Sequence, residues 1–285
     1  MPGMRKSMRK NFDPSLLRYP NEEKLLRYLL SLYGLKKAIN LFIKLFSSLF
    51  EGFLLGEAVK ATDKNYPHIH KIGKRVSSIL NLKNPPHIFI AQDPLFIAYT
   101  IGTKEKHQIV LSSALVENFS EKEISFVIGH EIGHIIFDHI VFHSLIAFWT
   151  IFISRIPILK YTLFPSFLPL LAWSRNAEIS ADRVGLFVCR DIKSSINAMM
   201  KLSGGKEILK HVSSEEYMKQ FDLIKKSPGR FLEFFSTHPF LPKRGKALFI
   251  FYKSPFYKNV IRYKKITPSF KEGVEKEVGR IMRVR

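Results

Sequence analysis

His130 and His134, four residues apart, with Glu131 directly after the first, are the residues of this 285-residue chain whose spacing implies chemistry. On a helix, positions i and i+4 stand one turn apart on the same face, so two imidazole nitrogens can converge on one ion. Glu131 falls about 100° round the helix, where a carboxylate reaches a metal's water and not the metal. The chemistry implied is metal-assisted hydrolysis with Glu131 as general base. A catalytic zinc site takes three protein ligands and keeps one position open. A third histidine six residues after His134 would mark a metzincin, but that position is Ile140, and Phe137 stands where that class has glycine. The remaining source is a carboxylate on a later helix. Glu178 and Asp182 are again i and i+4. Glu178 is the expected third ligand, and Asp182 the expected acceptor for the far nitrogen of a ligating histidine, fixing its tautomer.

These residues need elements to hold them. Ser120 with Glu123 forms a capping box ahead of an apolar stripe at Ile124, Ile128 and Ile135, which predicts a helix carrying the H-E-x-x-H. Ser174 reads as the cap of the helix carrying Glu178. Residues 86–91 and 107–112 read as short strands bounded by prolines, Gly102 and Ser113, so a small sheet precedes the first helix. The expected fold is α+β, mainly helical, a zincin-like domain with a small sheet beside the active-site helix. The strand around Ile109 and Leu111 is the expected edge for an extended peptide.

Composition sets the outer bounds. With 46% hydrophobic and 24% charged residues the chain reads as folded, and its single Cys189 excludes an internal disulfide and a multi-cysteine metal site. The net charge is +21, and it is uneven: residues 1–60 carry +6 and 201–285 carry +12, whereas 61–140 are neutral. A nucleic-acid enzyme would concentrate positive charge at its cleft, so no specific nucleic acid is expected as partner. No apolar h-region follows the basic first residues, which predicts no secretory signal and a cytoplasmic location.

Three divisions follow: a basic tail and amphipathic helix over 1–60, a peptidase domain over 61–250 with an apolar insertion at about 140–173, and a basic extension over 251–285. Residues 35–55 repeat apolar side chains at helical spacing with Lys36, Lys37 and Lys44 among them, a pattern that packs on a core or lies on an anionic membrane. In 140–173 the only charges are Arg155 and Lys160, and Pro157, Pro165 and Pro169 interrupt the run. Buried helices or a hairpin entering the bilayer both fit. The expectation drawn from these segments is shallow attachment to the cytoplasmic membrane face.

H-E-x-x-H on a capped helix, then E-x-x-x-D, then Ser236-Thr237-His238-Pro239 with Arg244 beyond it, resembles the HtpX-like and CAAX-prenyl-endopeptidase family of zinc metallopeptidases, a gluzincin group. The resemblance runs from about Phe96 to Ala247. It implies one zinc ion per chain on His130, His134 and Glu178, and a protein or peptide substrate cut at internal bonds. It also implies that the loop of His238 lies near the metal, where His238 would stabilise the oxyanion or take the open position. For Arg244 two roles stand open, pairing with a site carboxylate or holding the helix it begins. The family's N-A-F-x-x-G segment is here Ile97-Ala98-Tyr99-Thr100-Ile101-Gly102, with the glycine kept and the asparagine absent. The alternative to an endopeptidase is a membrane-associated zinc-binding scaffold of the same fold, against which the intact Glu131 argues. A deformylase would take a cysteine upstream of the H-E-x-x-H, and Cys189 lies downstream. His107, His139, His143 and His211 show no partner pattern and read as structural.

Overall fold

The computed structural model describes residues 12–32, 52, 54–102, 106–151 and 157–283. The amphipathic segment 35–55 falls outside these residues except for Gly52, Leu54 and Leu55. The order of the main elements is α1 (Pro20–Leu32), β1 (Ala58–Lys60), α2 (Pro67–Ile79), β2 (His87–Ala91), β3 (Ala98–Gly102), β4 (His107–Ser112), α3 (Ser113–Asn118), α4 (Glu121–Ile136), α5 (Ile140–Ile151) and α6 (Pro157–Cys189). There follow α7 (Ile192–Gly204), α8 (Ile208–His211), α9 (Ser214–Lys226), a 3-10 segment (Pro228–Phe235), α10 (Leu241–Lys253), α11 (Pro255–Ile261) and α12 (Pro268–Met282). The fold is mainly helical with one small mixed sheet, as the pattern of the chain predicts.

The sheet runs β1-β2-β4-β3, with β2 and β4 parallel and the outer pairs antiparallel. β4 is therefore central: Ile109 and Leu111 have a strand on both sides and are fully buried. This corrects the expected peptide edge. Its run of consecutive apolar residues is what a strand covered on both faces requires. Among the described residues the edge strand near the site is β3, which pairs with β4 alone.

α4 begins as its sequence dictates. Ser120 Oγ accepts from the Glu123 amide and Glu123 Oε2 accepts from the Ser120 amide at 2.7 Å, so both halves of the capping box are formed. Lys201 Nζ, 2.8 Å from the same Glu123 oxygen, neutralises the buried carboxylate.

α6 does not start at Ser174. It is one helix of 33 residues that keeps Pro165 and Pro169 inside it, each without an amide to donate, and Ser174 is buried in mid-helix. Packing overrides the local cap signal here. Leu170, Leu171, Trp173 and Ala177 join Val141, Phe142 and Ile146 of α5 and Leu29 of α1 in one apolar cluster, and burying those side chains outweighs a cap worth about 1 kcal/mol. Among the described residues no helix is long and apolar enough to cross a membrane.

α4 and α6 touch backbone to backbone, which is what brings the two halves of the site together. A side-chain carbon on Gly133 would stand 2.9 Å from the Ala181 Cα, and one on Gly185 would stand 2.7 Å from the Phe126 carbonyl oxygen. Both are inside van der Waals contact, so only glycine permits this approach. The main core fills the space between this pair, the sheet, α2, α7 and α10. α12 closes it: Val274, Val278 and Ile281 are buried there, and Glu275 accepts from Nη1 and Nη2 of Arg183 at 2.8 Å.

Candidate metal centre

His130 and His134 leave α4 on the face turned to α6, and Glu178 leaves α6 opposite them. His130 Nε2 and His134 Nε2 are 3.1 Å apart, and the Glu178 oxygens lie 3.5 and 3.4 Å from them. His130 Nδ1 is 3.0 Å from Asp182 Oδ1, so its proton belongs on that side and its Nε2 presents a lone pair. Glu178 Oε1 is buried and has no hydrogen-bond donor among the described residues. Three electron-donating atoms aimed at one point in a buried site repel one another unless a cation lies among them. Their separations match the edge of a tetrahedron, about 3.3 Å for zinc bonds of about 2.0–2.1 Å. The donor set fits zinc.

The electrostatics support the same reading. Burial holds His134 down to about 3 against the pull of Glu178, so its ring is neutral, the form a metal takes. Burial also opposes the charged form of His130, but its bond to Asp182 and the nearby Glu178 outweigh that and raise it, so metal competes there with a proton. Glu178 and Asp182 are buried as carboxylates. Desolvation pushes both up, and the Arg244 guanidinium overcomes it, holding Glu178 well below the usual range and Asp182 below it too. Arg244, in the first turn of α10, bonds both Asp182 oxygens at 2.9 and 2.7 Å and stands 2.8 Å from Glu178 Oε2. Of the two roles open to it, pairing with the site carboxylates is the one the geometry realises.

Glu131 points the other way round α4, toward β3. Thr100 Oγ1 donates to its Oε2 at 2.7 Å, and burial pushes its carboxyl up against the opposing charge of His130. His238 is half-exposed, its Nε2 3.5 Å from Glu178 Oε1 and its Nδ1 2.7 Å from the Thr237 hydroxyl. The residues converge on a cleft of about 700 Å³, a size ordinary for a substrate site, whose walls include Ala98, Tyr99 and Thr100 of β3. His130, Glu131, His134, Glu178, His238 and Arg244 line it, and Asp182 sits behind them, against His130 and Arg244.

Four contributors were not legible. Thr100 comes from β3, 31 residues before Glu131. His139, read as structural, stands under the metal ligand with its Nδ1 2.9 Å from His134 Nδ1, and the His143 ring centroid is 4.8 Å from that of His134. A tight turn at the end of α4 puts His139 there. Asp138 adopts φ 63°, its amide donates to the Ile135 carbonyl, and the His139 amide returns to the His134 carbonyl, a Schellman motif with aspartate where glycine is usual. The fourth, Glu22 of α1, lies 3.4 Å from His139 Nε2. Two further histidines, His139 and His143, within nine residues after the H-E-x-x-H were the one available signal.

A family model for peptidase family M48 matches residues 63–249, about two thirds of the sequence and all of the metal centre. The chain belongs to peptidase family M48. Membership and the His130, His134 and Glu178 cluster make it a zinc-dependent metallopeptidase, a hydrolase. This M48 chain is 27% identical over 227 residues to the plastoglobule-localized metallopeptidase 48 of Arabidopsis thaliana chloroplasts, covering 73% of itself and 63% of that relative. It spans less than two thirds of that protein. It is 26% identical over 243 residues to an HtpX protease homologue of Helicobacter pylori strain Shi470, covering 72% and 74% of the two chains. With HtpX homologue 2 of Methanosarcina acetivorans it shares 25% identity over 223 residues, 64% of the M48 chain and 72% of the homologue. No solved structure is a significant match.

Proposed function

We propose that this M48 peptidase is an endopeptidase that cuts internal peptide bonds of protein substrates, using one zinc ion per chain held by His130, His134 and Glu178. The observation that carries the reading is the buried Glu131 carboxylate, held by Thr100 at the wall of a cleft lined by β3, the edge strand among the described residues. A zinc ion bound by the three donors supplies Lewis acidity, which makes water nucleophilic near neutral pH and polarises a carbonyl. Glu131 takes the proton of the attacking water and returns it to the leaving amine, a role suited to a carboxyl raised by burial. His238, at the mouth, donates a hydrogen bond to the oxyanion. Asp182 keeps the His130 proton on Nδ1, and Arg244 holds Asp182 and Glu178 ionised. An extended substrate pairs with β3, so main-chain bonds dominate and side-chain selectivity is weak.

We infer further that the enzyme works on an anionic membrane surface. Phe231, Leu232 and Phe235 are exposed on the segment leading into the His238 loop, and Leu223, Lys225 and Lys226 are exposed on the preceding helix α9. Aromatic and leucine side chains with lysines at their margin suit the headgroup boundary.

The test is direct. Glu131→Gln keeps its zinc and loses hydrolysis of an unfolded protein such as casein by about 10²- to 10⁴-fold, whereas Glu178→Ala loses the metal. Activity near wild type in the first variant, or full zinc in the second, overturns the assignment.

A further inference from the structure

Glu22 comes from α1, N-terminal to the region matched by the family model, yet it is fully buried 3.4 Å from the ring that supports a metal ligand. Its carboxylate is fixed on three sides. Arg18 Nε and Nη2 each donate to it at 2.7 Å, and Ser180, two residues beyond Glu178 on α6, donates to it at 3.1 Å. The Tyr19 amide donates in turn to the Ser180 hydroxyl at 2.9 Å, which seats the start of α1 against α6. The remaining neighbour of Glu22 is His139 Nε2, in a ring with no exposed surface.

The proton count along this line has one consistent solution once His134 Nε2 is kept free for a metal. His134 must then carry its proton on Nδ1, and that nitrogen faces His139 Nδ1 at 2.9 Å. Two imidazole nitrogens at this distance share one proton, so His139 Nδ1 must be the acceptor and its own proton must sit on Nε2. A carboxylate beside Nε2 enforces that tautomer, because an unprotonated Nε2 would set a lone pair against a buried negative charge.

We propose that Glu22 is a positioning residue for the metal site: through His139 it selects the tautomer of His134 that leaves Nε2 open to zinc. Asp182 does the same for His130 directly, so the two histidine ligands are oriented by carboxylates from opposite sides, one on α6 and one on α1. The relay acts through His139 and touches neither substrate nor metal. It makes the docking of α1 part of the metal site, and it rests on the reading of His134 as a zinc ligand.

Zinc affinity, measured on the full chain by competition with a chromophoric chelator, tests it. Glu22→Gln weakens zinc by about 10- to 100-fold, the usual effect of losing an outer partner of a ligand, because a glutamine can turn either its oxygen or its amide to His139. His139→Asn puts an amide oxygen where Nδ1 stands and accepts from His134 without help, so in the His139→Asn background the Glu22→Gln change leaves zinc affinity unchanged. A Glu22 that only braced α1 would weaken both backgrounds alike or neither, and either result overturns the relay. Long-range 1H–15N spectra of the unmutated zinc-bound protein give a second reading that does not depend on a variant folding. The His139 proton is expected on Nε2, and a proton on Nδ1 overturns the proposal. If His134→Ala binds zinc as tightly as wild type, the ligand reading itself falls, a different outcome from normal ligation with an inert Glu22.

Discussion

Arg244 grips both carboxylate oxygens of Asp182, at 2.9 and 2.7 Å, from the first turn of a helix 62 residues further along the chain. The pair is buried, and the third guanidinium nitrogen reaches Glu178 at 2.8 Å. One cation therefore holds two carboxylates a helical turn apart, which would otherwise repel each other and resist burial. Replacing it by a neutral side chain of similar length strands both. Arg244→Met is expected to lose about 3–5 kcal/mol of unfolding free energy in chelator-treated protein, read from urea unfolding. A loss under about 1 kcal/mol would show that the carboxylates are neutralised in another way.

Thr100 tests the orientation of the base. Its hydroxyl contacts Glu131 and not the three metal donors. Thr100→Val preserves shape and removes only the donor, so zinc content stays at the wild-type level while kcat falls up to about tenfold, the worth of one hydrogen bond. Metal loss in this variant would move Thr100 from the base to the metal site.

Glu22 gives a pH signature of stability. Burial pushes its carboxyl up, and the Arg18 and His139 bonds overcome this, lowering it from 4.5 to about 2. A carboxyl depressed in the folded state contributes stability above its unfolded value and loses it as pH falls toward its folded value. In chelator-treated protein the margin of wild type over Glu22→Gln is expected at up to about 3 kcal/mol above pH 5, shrinking steadily below about pH 4.5. A margin that does not change between about pH 6 and 3 contradicts the assignment.

Attachment to lipid is checked by sedimentation with vesicles. The protein is expected to pellet with anionic vesicles and far less with zwitterionic ones. Substituting serine at Phe231, Leu232 and Phe235 together is expected to weaken the partition more than tenfold, since each buried apolar side chain is worth about 1.5–3 kcal/mol. Equal binding by the triple variant would assign attachment to the basic ends of the chain alone.

The sequence by itself determined the parts of this site that depend on a single turn of helix. His130 with His134, Glu178 with Asp182, and the Ser120 and Glu123 capping box are i, i+4 or i, i+3 relations, and the geometry of a helix places such pairs whatever surrounds them. The tertiary structure decided everything that depends on two elements meeting. Ser174 carries a cap signal, yet the apolar contacts of Trp173 and Ala177 with α1 and α5 carry the helix through it. Ile109 and Leu111 look the same in sequence whether their strand is central or at an edge, and only the pairing with β2 and β3 separates the two. His139 reaches His134 because Asp138 turns the chain back in a left-handed conformation, without the glycine that would have advertised the turn. Thr100 and Glu22 arrive from 31 and 117 residues away from Glu131 and His139 respectively. Such contacts carry no periodic trace in the chain, because they are set by how closely the helices approach, and at Gly133 and Gly185 that approach is a matter of one missing carbon atom.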